Sequence, residues 1–168
     1  MKNTSHFTLQ LSKAGNSSSL FLSPDFVKLM LENQFIEINK TDVHGVNSFW
    51  IACYAGNGAV MKVLAEHGID IFNTNQSGLN VLHLAAKMNN YKIVKMLVLS
   101  DYPLDLVNNK GQTAFFLAAA KGNTKICKIL LKYGADINRT DDLNIGPLYM
   151  AILNKHHETA EYLISEGA

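Results

Sequence analysis

The sequence repeats itself with a period of 33 residues over most of its length. Similar short segments begin at Asp42, Asn75, Asn108 and Asp141, and no gap is needed to keep them in register. A period of this size is typical of repeat proteins, in which each unit buries its apolar surface against its neighbours. It therefore predicts an array of small units instead of one core with a complex topology.

Four further columns of similar residues keep the same register in each unit. They are a glycine or asparagine (Gly45, Gly78, Gly111, Asn144), a bulky apolar residue (Phe49, Leu82, Phe115, Leu148), an alanine (Ala52, Ala85, Ala118, Ala151) and a leucine (Leu64, Leu97, Leu130, Leu163). An Asp or Asn with a Gly three residues later predicts a turn with a positive φ angle at the Gly. The apolar spacing after it predicts a short helix, a tight turn and a longer helix. The alanine column would let neighbouring helices approach closely.

The units resemble ankyrin repeats, most clearly at residues 78–86 (GLNVLHLAA) and 133–138 (YGADIN). The resemblance covers residues 42–168 and implies an all-α ankyrin-repeat solenoid of stacked helix–turn–helix units with β-hairpin-like loops. The histidine of the family pattern is kept only as His83, which the pattern explains by a bond to turn backbone. The usual Gly-Ala-Asp segment is replaced by Asp-Tyr-Pro at residues 101–103, so we expect that loop to follow a different path.

The register divides the chain into six segments. We predict an N-terminal arm or degenerate cap (1–22), the back helix of a degenerate repeat (23–41), three full repeats (42–74, 75–107 and 108–140) and an incomplete fourth repeat (141–168). Ser23 and Pro24 have the residue types of an N-cap and a first helical position. Met150, Ile152, Leu153 and Ile164 leave the last repeat without a polar outer face. We therefore expect that the chain is a piece of a longer array, or that a partner or larger assembly covers the C-terminal repeat.

Composition excludes several classes of protein. The chain is 48% hydrophobic and 17% charged with a net charge of +1, which does not fit a disordered chain, and Arg139 is the only arginine. That charge balance disfavours nucleic-acid binding. No apolar run is long enough for membrane insertion, and two cysteines are too few for a disulfide scaffold. The expected location is intracellular and cytoplasmic, with cytoskeletal or nuclear sites as alternatives.

No arrangement of residues predicts catalysis, a metal site or a cofactor site. Cys53 and Cys127 fall on apolar helix faces, which favours buried core thiols over nucleophiles. His156 and His157 are adjacent, so their side chains would point about 100° apart on a helix. The two glycines of residues 54–58 lack the lysine and preceding strand of a phosphate-binding loop. We therefore predict that the chain is not an enzyme.

The remaining candidate is a binding surface. In ankyrin repeats, the hairpin tips and the exposed side of the front helix line a concave groove, and the resemblance transfers these positions residue by residue. The tip positions are Val43, His44, Val46, Gln76, Ser77, Leu79, Asn109, Lys110, Gln112, Asp142, Leu143 and Ile145. The front-helix positions are Tyr54, Lys87, Met88 and Lys121, with Leu153 as a further candidate. Apolar residues at positions that the fold leaves exposed favour a groove, and Tyr54 is the best hot-spot candidate.

The sequence therefore predicts a non-catalytic scaffold that binds a protein partner through this groove. The alternative is a recognition or targeting module of a larger protein, such as an enzyme, a channel or a ubiquitin-ligase subunit, whose activity lies outside these residues.

Overall fold

The structure is a computed structural model that describes residues 23–33 and 37–168. Within these ranges every regular element is a helix, which confirms the predicted all-α class. The helices are α1 (Pro24–Glu32), α2 (Ser48–Tyr54), α3 (Gly58–Glu66), α4 (Val81–Lys87), α5 (Tyr91–Val98), α6 (Ala114–Ala120), α7 (Thr124–Lys132), α8 (Pro147–Leu153) and α9 (His157–Ser165). The chain forms two compact units, Met1–Gln76 and Ser77–Ala168, and each is described by itself.

The first unit contains α1, α2 and α3, and both α1 and α2 pack against α3. α1 begins as the sequence predicts, because Pro24 is its first residue and Ser23 is its N-cap. The Ser23 hydroxyl accepts the Phe26 N–H at 3.2 Å, which satisfies one of the free amides at the helix start. The predicted arm or cap at residues 1–22 lies outside the described residues.

The second unit contains three helix pairs. Its front helices α4, α6 and α8 pack side by side, and its back helices α5, α7 and α9 do the same. Ala85, Ala118 and Ala151 are buried at the front-helix contacts, where side chains this small allow close packing. Leu97, Leu130 and Leu163 are also buried. The predicted alanine and leucine columns therefore form part of the core of this unit.

Three of the front helices share one way of starting. The residue before the helix is a buried N-cap, and its side chain accepts an N–H of the first turn: Asn47 from Trp50, Asn80 from His83 and Thr113 from Phe116, at 3.0–3.1 Å. Short oxygen-bearing side chains are preferred at this position. The last front helix, α8, instead begins with Pro147, and its N-cap Gly146 makes no side-chain bond.

His83 joins two repeats of the second unit. Its Nδ1 accepts the Asn80 N–H at 3.2 Å, and its Nε2 donates to the Gln112 carbonyl at 2.9 Å. The predicted bond from imidazole to turn backbone is thus confirmed. Burial lowers the pKa of His83, while its bonds to backbone raise it by less. The neutral ring can satisfy both partners without placing a charge in the core.

The loop at residues 101–103 keeps the common path at its corner but leaves it directly afterwards, because residues 104–105 lack the turn that residues 71–72 and 137–138 form. Pro103 stands where Asp70 and Asp136 accept the N–H two residues on. Asp101 has a φ of 54°, and the Tyr102 N–H donates to the Leu97 carbonyl at 3.2 Å. In the next repeat, the Ala135 N–H donates to the Leu130 carbonyl at 3.1 Å, after Gly134 with a φ of 93°. The helix-end bond therefore imposes the left-handed conformation on Asp101 although it is not a glycine.

Candidate partner-binding surface

The hairpin tips that begin at Asp42, Asn108 and Asp141 are turns closed by their first residue. In the last repeat the Asp141 N–H donates to the Ile145 carbonyl at 3.0 Å, and the Asp141 carboxylate accepts the N–H groups of Leu143 and Ile145. Asp42 and Asn108 make the equivalent bonds in their own repeats. The Asp or Asn column thus fixes the tip, as the sequence predicts.

Successive tips are also bonded to each other by their backbones. In the second unit the Asn109 N–H donates to the Ser77 carbonyl and the Asp142 N–H to the Lys110 carbonyl, each at 3.1 Å. In the first unit the Gln76 N–H donates to the His44 carbonyl, also at 3.1 Å. The tips are therefore held by backbone groups, which leaves several of their side chains to face solvent.

Two of the exposed tip side chains are apolar. Val43 is 80% exposed in the first unit and Leu143 is 76% exposed in the second. The predicted tip residues His44, Gln76, Ser77, Asn109, Lys110 and Asp142 are exposed as well. An apolar side chain at the end of a fixed turn contributes nothing to the core of its own unit.

The ends of the front helices also carry the predicted exposed side chains. Tyr54 is 61% exposed at the end of α2. Its ring stacks on that of Trp50, with centroids 6.2 Å apart and planes 7° from parallel. In the second unit Lys87, Met88, Lys121 and Leu153 are exposed. The Trp50 contact was missed, although the spacing of four residues could have indicated it.

Val46 was wrongly assigned to the binding surface, because it is buried. It lies directly before the N-cap Asn47, where an apolar residue commonly packs against the first turn of the helix, and Ile51 in that turn is buried too. Leu79, Gln112 and Ile145 hold the same position in their repeats and are only half-exposed. The residues that we assigned at this position of each repeat therefore belong mainly to the start of the front helix.

The reactive residue types occupy structural positions. Cys53 and Cys127 are buried free thiols, as predicted, and burial raises the pKa of each to about 12. Both thiols are therefore protonated near neutral pH, which makes them poor nucleophiles. His156 is the residue before α9, and its Nε2 donates to the Ala120 carbonyl at 3.2 Å. Among the described residues, no group of His, Cys, Asp or Glu side chains could hold a metal ion.

A second apolar surface lies on the last helix pair. Tyr149 and Ile152 on α8 are 57% and 56% exposed. The residues one period earlier on α6, Phe116 and Ala119, are buried. Ile164 on α9 is 58% exposed, which agrees with the prediction that the last repeat lacks a polar outer face. We call Tyr149, Ile152 and Ile164 the end face.

Helix pairs that recur every 33 residues and are linked by bonded tips define a helical-repeat protein. The family model "Ankyrin repeats (3 copies)" matches residues 18–102 and 99–168, and the chain belongs to the ankyrin-repeat family. Ankyrin repeats are generally protein–protein interaction modules. A search of curated proteins finds none that matches the chain. In residues 23–33 and 37–168, no helix has the length and apolar character needed to cross a bilayer.

Proposed function

We propose that the chain is a non-catalytic interaction scaffold that binds a protein partner through its hairpin tips and front-helix ends. Val43 and Tyr54 are the anchors in the first unit. Met88 and Leu143 are the anchors in the second, with Lys87, Lys110 and Lys121 beside them. We call this set the front surface. The two free cysteines fit a reducing, intracellular location.

The exposed apolar residues at fixed positions are the observation that carries this proposal. A flexible loop must be ordered when it binds, whereas the backbone of the tips is already held by hydrogen bonds. Tyr54 is stacked on Trp50 before any partner arrives. Burying an anchor of this size against a partner contributes about 1.5–3 kcal/mol. A few such anchors account for a specific complex.

The absence of catalysis is part of the same proposal. Both thiols have a raised pKa because they are buried. The rings of three histidines bond to backbone carbonyls, namely His67, His83 and His156. A catalytic nucleophile needs a base within hydrogen-bond reach. Because both thiols stay protonated near neutral pH, the described residues supply no thiolate nucleophile.

Matched pairs of substitutions test the front surface. Tyr54→Ala is compared with Phe72→Ala, which removes another exposed aromatic side chain of the first unit, and Leu143→Ala with Leu106→Ala in the second. Proteins captured from the native cell extract are quantified by mass spectrometry. We expect each front-surface variant to capture at least about tenfold less of a partner that both control variants still capture. Partners captured equally by all four variants would overturn the proposal.

We also propose that the end face is covered in a larger assembly. Tyr149 and Ile152 are exposed where Phe116 and Ala119 are buried one repeat earlier. A regular next repeat would need a small residue at position 152, because Ala86 and Ala119 hold that position in the earlier repeats. Isoleucine in place of alanine at position 152 therefore favours a covering element other than a regularly spaced repeat. An Ile152→Asp variant that keeps every partner and the same assembly size would exclude this role.

A further inference from the structure

Every charged residue of the back helices α5 and α7 is a lysine. α5 has Lys92 and Lys95, and α7 has Lys125, Lys128 and Lys132, all exposed, while neither helix contains Asp or Glu. The two helices pack against each other within the second unit. We call these five residues the lysine face, which lies on different helices from the front surface.

The lysines are aligned by the repeat. Lys92 and Lys125 are separated by one period, and so are Lys95 and Lys128, so each pair faces across two helices whose axes are about 10 Å apart. Within each helix the lysines are three or four residues apart, at neighbouring positions on its surface. The charges therefore form a compact grid of one sign.

Nothing in the described part of the chain neutralises this grid by direct contact. None of the five lysines forms an ion pair with a described residue, and Lys128 instead lies 5.1 Å from the centre of the Tyr162 ring. Like charges three or four residues apart destabilise a helix by a few tenths of a kcal/mol per pair. Free lysines held this close together therefore favour an anionic partner.

The sign of the surface changes at the next helix. In the register of Lys125 and Lys128, α9 carries Glu158 and Glu161, and both are exposed. Residues 77–135 contain eight lysines and two aspartates, whereas residues 136–168 contain six carboxylates and two basic residues. A bound anion would therefore lie over α5 and α7 and avoid α9.

We infer that the lysine face binds an extended acidic segment of a protein partner. A chain in the polyproline II conformation has three residues per turn and advances about 3.1 Å per residue, so carboxylates at every third residue lie on one side of it at about the spacing between the two helices. A nucleic acid or a bilayer surface extends beyond five lysines and would also meet the carboxylates of Glu158 and Glu161 on α9, whereas a short acidic segment can lie over α5 and α7 alone. This difference favours the carboxylates of a short segment over a nucleic acid or a lipid headgroup.

The test uses a fluorescent peptide with Glu at every third position and Gly and Ser between. A peptide of the same composition with clustered glutamates is the spacing control. Lys92→Gln/Lys125→Gln removes one pair of aligned charges, and Arg139→Gln/Lys155→Gln removes two exposed charges outside both surfaces as the matched control. Affinity is measured by fluorescence anisotropy at low ionic strength, and circular dichroism checks that each variant folds.

We expect the first double variant to bind the spaced peptide about fivefold more weakly than the unmodified chain, as for the loss of two exposed ion pairs. The control variant should bind within twofold of the unmodified chain, and high salt should abolish binding. Equal losses in both variants, or equal affinity for the clustered peptide, would overturn the inference. So would tighter binding to single-stranded DNA or to phosphatidylserine vesicles. These affinities do not depend on the partner of the front surface.

Discussion

Replacing Gly111 by alanine tests how the tips of the second unit are held together. Gly111 has a φ of 72°, and a Cβ built on it would lie 2.7 Å from the backbone nitrogen of Asp142 and against its carboxylate. That Asp142 N–H donates to the Lys110 carbonyl at 3.1 Å. An alanine at this position therefore has to push the next tip away and stretch the bond between the tips.

Gly134 provides the matched control. Its φ of 93° also disfavours a side chain, but a Cβ there would meet nothing within 4 Å. The left-handed conformation costs an alanine about 1–2 kcal/mol, partly offset because alanine has less freedom than glycine in the unfolded chain. We expect Gly134→Ala to lower the free energy of unfolding by about 1 kcal/mol.

Gly111→Ala has the same conformational cost and two further costs in free energy. The weakened bond between the tips costs about 1 kcal/mol, and displacing a packed neighbour costs at least about 1 kcal/mol. The total loss is about 3 kcal/mol, which places its Tm about 4–8 °C below that of Gly134→Ala. Urea and thermal unfolding followed by circular dichroism measure both values. Equal destabilisation of the two variants would refute the account of the tip contact.

Three other predictions follow from the described residues. Because burial lowers the pKa of His83, the unfolded chain binds its proton more readily. Stability should therefore fall as the pH drops below about 6.5, and His83→Gln should lose this part of the pH dependence of unfolding. Lys155 has a φ of 62° at the position that Gly122 holds one repeat earlier, so Lys155→Gly should raise the free energy of unfolding by about 0.5 kcal/mol. Lys155→Ala should not, and equal gains would contradict the strain argument. Finally, Cys53 and Cys127 should resist alkylation at pH 8 until the chain is unfolded in urea; rapid labelling of the native chain would show that they are not buried.

The period of the sequence was enough to predict the fold, because each column has one local function. The Asp or Asn column closes a turn and the alanine column allows close packing, so both could be recognised from residue type and spacing. Asp101 and Lys155 adopt a positive φ that their residue types disfavour. Only the register could have indicated this, because bonds at the helix ends outweigh local preference.

The binding surface was less predictable than the fold. Val43 and Leu143 are exposed as expected, but Val46 is buried because the turn directs it toward the start of α2. Residue type does not distinguish these two valines. The distinction depends on which residue precedes the N-cap, and thus on the geometry of the closed tip. The lysine face depends in the same way on which helices pack together.

Site-specific photo-crosslinking in the cells that express the protein tests the central claim most directly. A photoreactive amino acid is placed at Tyr54 and Leu143 on the front surface. It is also placed at the two control positions Phe72 and Leu106, which are exposed outside the front surface and the lysine face. The account predicts that both front-surface positions crosslink to the same protein and that the two control positions do not. Crosslinks to that protein from all four positions, or from the controls alone, would contradict a binding surface formed by the tips and front-helix ends.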